Sequence, residues 1–155
     1  MSNENRDEKV IVFQLKNEEY GVPVDVVGSI ERMMQVTRVP GTPKFVKGVM
    51  NLRGVVTPII DLRERFEIEP AEYDDRTRII IVSMDDKVVG MIVDSANDVI
   101  DVSSEAIEPP PEVIGSVDVD YIRGVANLES RLLILLNIEK VLSREELNDI
   151  SKVEG

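Results

Sequence analysis

The chain has 155 residues without Cys or His, which excludes disulfides, thiolate nucleophiles, imidazole catalysis and cysteine or histidine zinc sites. Eighteen basic against 30 acidic residues give a formal net charge of −12, so nucleic acid is not an expected partner. With 43% hydrophobic but only 4% aromatic residues, the chain is of the globular class and its core must consist mainly of Val, Ile and Leu, which favours a β-rich fold.

The N-terminal segment carries no export signal or membrane span. Residues 1–9 are polar, and the first apolar run, at 10–15, is too short for either. We therefore expect a cytoplasmic protein without direct membrane insertion.

A first pair of segments repeats without a gap. Residues 10–30 align with 79–99, which places Gly21 on Gly90. Each segment reads as a strand, a polar turn and a second strand, the pattern of a β-hairpin. The pair predicts a duplicated chain.

A second pair repeats in the same order. Residues 46–62 align with 122–138, again without a gap, which places Gly48 on Gly124. The second half carries seven extra residues between its two segments, because the offsets are 69 and 76 residues, and prolines 109–111 predict a longer loop there.

The duplication predicts two lobes, each a small barrel-like sheet of four or five short strands. Lobe 1 is expected at about 20–75 and lobe 2 at about 79–142, joined by the charged stretch 66–78. The N-terminal strand and a C-terminal helix are expected to be able to pack across the lobes.

Helix signals are few. Residues 143–152 begin with Ser143 and Glu146 at the spacing of a capping box, followed by apolar residues three apart, which predicts a terminal amphipathic helix. Shorter helical turns are predicted at 24–30, 61–66 and 103–107.

Carboxylates are the one remaining type of catalytic side chain. Asp74 with Asp75, and Asp85 with Asp86, lie in predicted turns, where Asp is favoured because it hydrogen-bonds the nearby backbone. No third ligand or phosphate-binding glycine loop accompanies them, so solvated turns are favoured over a carboxylate-dependent metal enzyme. No cofactor is predicted.

The NLRG segment at 51–54 is the most informative candidate site. Asn51 and Gly54 predict a tight turn that presents Arg53 at its tip, where a planar guanidinium suits recognition of carboxylates on a partner. A surface salt bridge is the alternative. The second half has Glu129 in place of Arg53, so the duplicated fold does not require the arginine, which favours a functional role.

Val27 and Ile30 are candidates for an apolar groove between the lobes. Each could instead be a core residue, and core is the favoured interpretation for each one singly. Pro58 cannot donate to a central ladder and predicts an edge or a bulge near Arg53. An apolar groove beside a fixed arginine would suit an amphipathic helical partner.

The residues resemble those of a known family along nearly the whole chain. The run at 35–66 looks like the signature stretch of CheW-type chemotaxis coupling proteins, and the runs at 85–100 and 132–143 are similar to later segments of that family. The resemblance implies two SH3-like, five-stranded β-barrel lobes related by pseudo-symmetry, with a hydrophobic groove between them and a C-terminal helix.

The resemblance also implies a function without catalysis. The family links the cytoplasmic tip of a methyl-accepting chemoreceptor to the regulatory domain of the CheA histidine kinase, in cytoplasmic arrays recruited to the membrane-associated receptors. A coupling domain of a CheV-like protein, which carries a phosphorylation receiver, is the close alternative.

Ten positions of this chain match the family's partner-binding regions or lie beside them. Many members carry Glu where this chain has Ser29, and the acid is displaced here to Glu31, so the ion pairing at that place is an open question. The candidate receptor- or kinase-binding residues are Val27, Ser29, Ile30, Glu31, Gly48, Asn51, Arg53, Gly54, Gly90 and Val99.

Overall fold

A computed structural model describes residues 7–84, 86–110, 119–143 and 145–146 of the chain. Within these ranges the elements are short strands, with two single-turn α-helices and three short 3-10 helices at Val24–Val26, Ser104–Ala106 and Val119–Tyr121. The strands are β1 Asp7–Leu15, β2 Glu18–Pro23, β3 Val27–Arg32, β4 Val46–Leu52, β5 Val55–Asp61, β6 Arg78–Met84, β7 Lys87–Val93, β8 Ser95–Ser103, β9 Ile107–Glu108, β10 Ile122–Leu128 and β11 Arg131–Leu136; the helices are α1 Leu62–Arg65 and α2 Ile138–Val141.

The strands form two sheets, which confirms the predicted mainly β fold. One sheet has the order β8-β1-β2-β11-β10-β9, and the other has the order β3-β6-β7-β5-β4. The isolated bridge between Thr37 and Val49 brings the chain that follows β3 back to β4 at the opposite end of the five-stranded order. Each sheet is therefore curled, whereas full closure into barrels stays a prediction.

Each sheet contains strands from both halves of the chain, because each half contributes one hairpin to the sheet formed mainly by the other half. The five-stranded sheet consists of residues 27–93, and the six-stranded sheet combines 7–23 with 95–136. The expected lobes at 20–75 and 79–142 therefore differ from the sheets, because β6 and β7 lie with the first half's strands. The physical reason is parallel pairing: β7 joins β5, and β2 joins β11.

The predicted duplication is confirmed by strand register. Gly21 of β2 pairs with Leu135, and Gly90 of β7 pairs with Ile59. Under the two sequence alignments these are the same pair, because position 21 corresponds to 90 and position 59 to 135. Both copies of the repeat therefore use the same cross-half contact.

Buried apolar side chains form three clusters, one shared between the sheets and one belonging to each sheet. On β1, Ile11 and Phe13 face the shared cluster, while Val10 and Val12 face the cluster of the six-stranded sheet. Successive side chains of a strand point to opposite faces, so strands buried on both faces read as continuous apolar runs. Within the described residues, the surface between the sheets is therefore mainly core.

The three predicted helical turns are present but shorter than predicted, and the predicted C-terminal helix is described only at its start. Ser143 Oγ accepts from the Glu146 N–H at 3.0 Å, and Glu146 Oε1 accepts from the Ser143 N–H at 2.8 Å, which is the predicted capping box. The rest of the predicted helix, at 144 and 147–152, lies outside the described residues, as do 111–118 in the predicted proline loop. Of the predicted turn at 24–30, only the first three residues are helical, because β3 begins at Val27.

Arg65 ties the first half of the chain to its C-terminal segment. Its Nε donates to the Val141 carbonyl at 2.6 Å, and its Nη1 and Nη2 donate to the two carboxylate oxygens of Glu146 at 3.2 and 2.9 Å. The guanidinium also lies 4.6 Å from the centre of the Phe45 ring. One planar side chain thereby holds Glu146 and the last residue of α2 against α1.

We expect Arg65→Lys to destabilise the fold, because an ammonium cannot reproduce the forked hydrogen bonds and the ring contact. The expected loss in the free energy of unfolding is about 1.5–3 kcal/mol, measured by urea denaturation. Arg123→Lys is the matched control, because Arg123 makes a partly exposed ion pair with Glu8 and should cost under about 1 kcal/mol. Equal effects of the two changes would contradict the anchoring role of Arg65.

Candidate functional site

A β-bulge in β3 places Val27 and Ile30 on the same face of the sheet. Val27 pairs with Val82 and Ile30 pairs with Ile80, with the register shifting by one residue between them at Gly28. Val82 and Ile80 belong to the shared core, so both candidate residues lie on the inter-sheet face. Val27 packs against that core, whereas Ile30 is 40% exposed at the sheet edge. The favoured core interpretation therefore holds for Val27 and not for Ile30.

Val99 is the counterpart of Ile30 in the six-stranded sheet. It pairs with Ile11 of the shared core, and it follows a register shift in β8 that skips Asn97, the counterpart of Gly28. Val99 is 51% exposed. Each edge strand, β3 and β8, therefore carries one exposed apolar side chain on the inter-sheet face.

The predicted tight turn at Arg53 is confirmed. Arg53 and Gly54 are the two loop residues of the β4–β5 hairpin, and both have positive φ, 52° and 87°. A two-residue loop with two positive φ angles is the type I′ turn whose twist matches the flanking strands. Asn51 Oδ1 accepts from the Gly54 N–H at 2.8 Å. The turn presents Arg53 with 69% of its side chain exposed.

Arg53 forms an ion pair with Glu31 of β3. Its Nη2 lies 3.0 Å from Glu31 Oε2, and the Glu31 side chain is only 15% exposed. Glu31 can replace the glutamate that many family members carry at position 29, because positions 29 and 31 lie on the same face of a strand. Since β3 and β4 stand at opposite ends of the strand order, the contact also shows how strongly the five-stranded sheet curls.

Two neighbours stabilise the ionised Glu31. The nearby Ser29 hydroxyl, followed by the Arg53 guanidinium 3.0 Å from the carboxylate, lowers the pKa of Glu31, while partial burial acts in the opposite direction. Because the folded-state pKa is depressed, the stabilisation is present above the unfolded-state pKa and is lost as the pH falls through the folded-state value.

We expect Ser29→Ala to raise the pKa of Glu31 towards its ordinary value, because the largest stabilising contact is removed. Carboxyl carbon chemical shifts followed by NMR from pH 7 to pH 2 would measure it. Ser130→Ala, in the other hairpin, is the control. An unchanged midpoint in Ser29→Ala would show that the hydroxyl does not support the carboxylate.

Gly48 and Gly90 are buried and lie within the sheets. A Cβ atom on Gly48, whose φ is 140°, would lie 2.0 Å from the Thr37 carbonyl oxygen, and one on Gly90 would lie 2.6 Å from Ile59 Cδ1. Both glycines therefore permit close contacts inside the fold. The structure leaves both glycines buried, unlike the exposed Arg53 and Ile30, so an effect of either on partner binding would act through the fold.

The alignment of the two halves reveals a surface that the motif analysis missed. Arg131 and Glu19 make a bidentate ion pair in the six-stranded sheet, with two N–O distances of 2.9 Å. Their counterparts in the five-stranded sheet are Val55 and Val88, which are 59% and 42% exposed. We call these two residues the Val55–Val88 patch. The sequence contains the signal for this patch: a charged pair in one copy of the repeat aligns with two valines in the other copy.

The acidic turns match their interpretation as local structure where they are described. Asp74 Oδ1 accepts from the Arg76 N–H at 2.8 Å, and this backbone hydrogen bond lowers the pKa of Asp74. Asp85 lies outside the described residues. No group of three acidic side chains that could hold a metal ion occurs in the described part of the chain. Among the same residues, no helix has the length and apolar character needed to cross a bilayer.

Comparison with known proteins identifies the family. A family model of the CheW-like domain matches residues 9–146. The chain is 41% identical to the chemotaxis protein CheW of Klebsiella aerogenes over 153 residues, covering 99% of this chain and 92% of that protein. It is 46% identical to the chemotaxis protein CheW of Bacillus subtilis over 138 residues, covering 89% and 88%.

A solved structure is similar throughout. The crystal structure of the scaffolding protein TtCheW from Thermoanaerobacter tengcongensis matches with a TM-score of 0.83 and 33% identity, covering 90% of each chain. The sequence matches and the structural match span the same two-sheet unit. The chain belongs to the CheW-like family of chemotaxis proteins, which are scaffolds and adaptors and not enzymes.

Proposed function

We propose that this protein couples methyl-accepting chemoreceptors to a CheA-type histidine kinase in arrays at the membrane. The observation that carries the proposal is the β3 edge, which exposes Ile30 on the inter-sheet face and holds Glu31, on the opposite face, in the ion pair with Arg53. This arrangement combines apolar contact area with an oriented guanidinium, as recognition of an amphipathic helix requires.

The receptor tip is proposed to bind along the edges of the inter-sheet face. Ile30 on β3 and Val99 on β8 offer exposed apolar side chains, and Val27 continues the surface into the shared core. A helical hairpin is a suitable occupant because its apolar residues recur on one face at spacings of three and four. Arg53 would then hold a carboxylate or a carbonyl at the rim of this contact.

The kinase's regulatory domain is proposed to bind the Val55–Val88 patch. Exposed apolar patches on soluble proteins are frequent interaction sites. The patch lies at one end of the five-stranded sheet, whereas the equivalent end of the other sheet is occupied by the ion pair of Arg131 with Glu19. A homologous two-lobed partner could dock there head to tail, leaving the inter-sheet edges to the receptor.

Two matched substitutions separate these surfaces. We expect Ile30→Glu to weaken co-sedimentation with a receptor-tip fragment, and Val88→Glu to weaken binding of the isolated regulatory domain, each by about 2 kcal/mol or roughly 30-fold. Each variant should keep its affinity for the other partner. Failure of the unsubstituted protein to bind either partner would contradict the coupling function, and equal losses with both partners would contradict the separation of the surfaces.

The CheV-like alternative shares the same coupling surfaces and differs in an attached receiver domain. The chain is 41% and 46% identical to the two CheW proteins described above, which supports the adaptor. Reading the complete gene, followed by a phosphorylation assay if a receiver is encoded, distinguishes the two.

A further inference from the structure

Asp94 connects the two sheets at the short crossing from β7 to β8. Its backbone N–H donates to the Gln14 carbonyl at 3.0 Å, and its carboxylate accepts from the Lys16 N–H at 2.7 Å. Gln14 and Lys16 lie at the β1–β2 turn of the six-stranded sheet. Asp94 therefore holds that turn with both its backbone and its side chain.

Arg63 brings the same carboxylate to the five-stranded sheet. Arg63 lies in α1, directly after β5. Its Nε donates to Asp94 Oδ1 at 2.8 Å, and its Nη2 donates to Asp94 Oδ2. Its remaining Nη1 donates to the Glu69 carbonyl at 2.6 Å. Only 14% of the Arg63 side chain is exposed. We call Asp94, Arg63 and the Lys16 N–H the Asp94 node.

The N-terminal cap of α1 holds the backbone of Arg63 in place. Asp61 Oδ1 accepts from the Arg63 N–H at 2.8 Å, and Asp61 Oδ2 accepts from the Tyr73 hydroxyl at 2.7 Å. Asp61 is 3% exposed, so these hydrogen bonds are shielded from water. The node is thus attached to fixed elements on both sides.

The other half of the repeat lacks an equivalent node. The counterpart of Asp94 is Asp25, and the counterpart of Arg63 is Glu139, so two acids stand where the node has an ion pair. Both are exposed, and neither makes an ion pair with another described residue. The third counterpart, Asp85, lies outside the described residues. Among the described residues, this side therefore offers no counterpart to the ion pair of Asp94 with Arg63.

We infer that the Asp94 node fixes the two sheets against each other on the β8 side, while on the β3 side they can shift. The shared core between them is apolar, and apolar contact is non-directional, whereas the hydrogen bonds of the node set distances and angles. Arg65 ties α1 to α2 and provides the fixed region about which such a shift would turn.

The presence of the node beside β8 and not beside β3 affects the two exposed edges of the inter-sheet face differently. Asp94 directly precedes β8, which carries Val99, and Asp25 lies two residues before β3, which carries Ile30. A shift on the β3 side would move Ile30 relative to Val99. The inference concerns the free protein, so it does not depend on the proposed function, but it identifies β3 as the side where a bound partner could change the angle between the sheets.

The test is a distance measurement between the sheets. Because the chain contains no Cys, the exposed Ser83 on β6 and Ser130 on the β10–β11 turn can be replaced by Cys and spin-labelled without background. Pulsed electron paramagnetic resonance then gives the distribution of distances between the labels. We expect Asp94→Asn to broaden this distribution and to move its mean by about 1–2 Å, the size of shifts at packed interfaces.

Three further variants control the result. Asp25→Asn changes the equivalent position outside the node and should leave the distribution unchanged, while Glu139→Arg places an arginine at the counterpart of position 63 and should narrow it. Arg63→Lys keeps the charge but loses the fork, so it decides the question if Asp94→Asn does not fold. The inference is overturned if Arg63→Lys and every folded Asp94→Asn sample match the distribution of Asp25→Asn.

Discussion

Gly48→Ala should destabilise this protein more than any other alanine substitution of a glycine in its described residues. The added Cβ would lie 2.0 Å from the Thr37 carbonyl oxygen and 2.7 Å from its carbonyl carbon, and both atoms belong to the backbone. A φ of 140° is also unfavourable for any residue with a Cβ. The backbone bridge from Thr37 to Val49, which brings the chain back to β4, would have to separate.

The expected loss is about 3 kcal/mol or more, since backbone strain and overpacking each cost roughly 1–3 kcal/mol. For a chain of this size, 3 kcal/mol corresponds to a fall in melting temperature of roughly 6–12 °C. Thermal denaturation followed by circular dichroism measures it.

Gly41→Ala is the matched control for backbone strain. Gly41 has a φ of 81°, but an added Cβ would meet nothing within 4 Å. The difference between the two variants therefore reports the contact with Thr37 together with the less favourable φ of position 48. If Gly48→Ala melted within a few degrees of Gly41→Ala, the close approach of the two backbones would not be a requirement of the fold.

Gly48 also illustrates how a binding defect can arise without a binding contact. The family resemblance implies a role of Gly48 in partner binding, but the glycine is buried beneath Thr37. Its replacement would disturb β4, which leads into the turn that presents Arg53. A loss of partner binding in Gly48→Ala should therefore be accompanied by loss of stability, whereas a loss caused at Arg53 should not.

Local signals in the sequence predicted local structure well. The Arg53–Gly54 turn and the Ser143–Glu146 capping box depend on residues within a few positions of each other, and both are formed. The duplication was also readable, because two pairs of segments match without gaps. These features need no knowledge of how distant strands pair.

The exchange of hairpins could not be predicted in the same way. It depends on the parallel pairing of β2 with β11 and of β7 with β5, between strands far apart along the chain. The partner of Arg53 was equally inaccessible, because Glu31 reaches it only through the curl of the sheet. The shared face of Val27 and Ile30 could not be predicted either. Simple alternation would place the two side chains on opposite faces of β3, but the extra residue of the bulge at Gly28 places them on the same face.

Arg53→Asn should abolish much of the partner binding while leaving the fold intact. Hydrogen bonds to charged groups contribute about 1.5–3 kcal/mol, so the dissociation constant for a receptor-tip fragment should rise roughly 10- to 100-fold. Asn tolerates the positive φ of 52° found at this position, so the type I′ turn is preserved. An aspartate would be a poorer choice, because it would place a second carboxylate beside the largely buried Glu31.

Lys16→Asn is the matched control for this prediction. Lys16 also stands in a two-residue hairpin loop with a positive φ, 59°, so the change removes one cation from an equivalent backbone setting in the other sheet. Its contact with Asp94 uses the backbone N–H, which asparagine keeps. Calorimetric titration of both variants should show a loss for Arg53→Asn alone, with similar melting temperatures. Equal affinities would assign Arg53 to a surface ion pair with Glu31, and a cooperative loss of folding would make that pair structural.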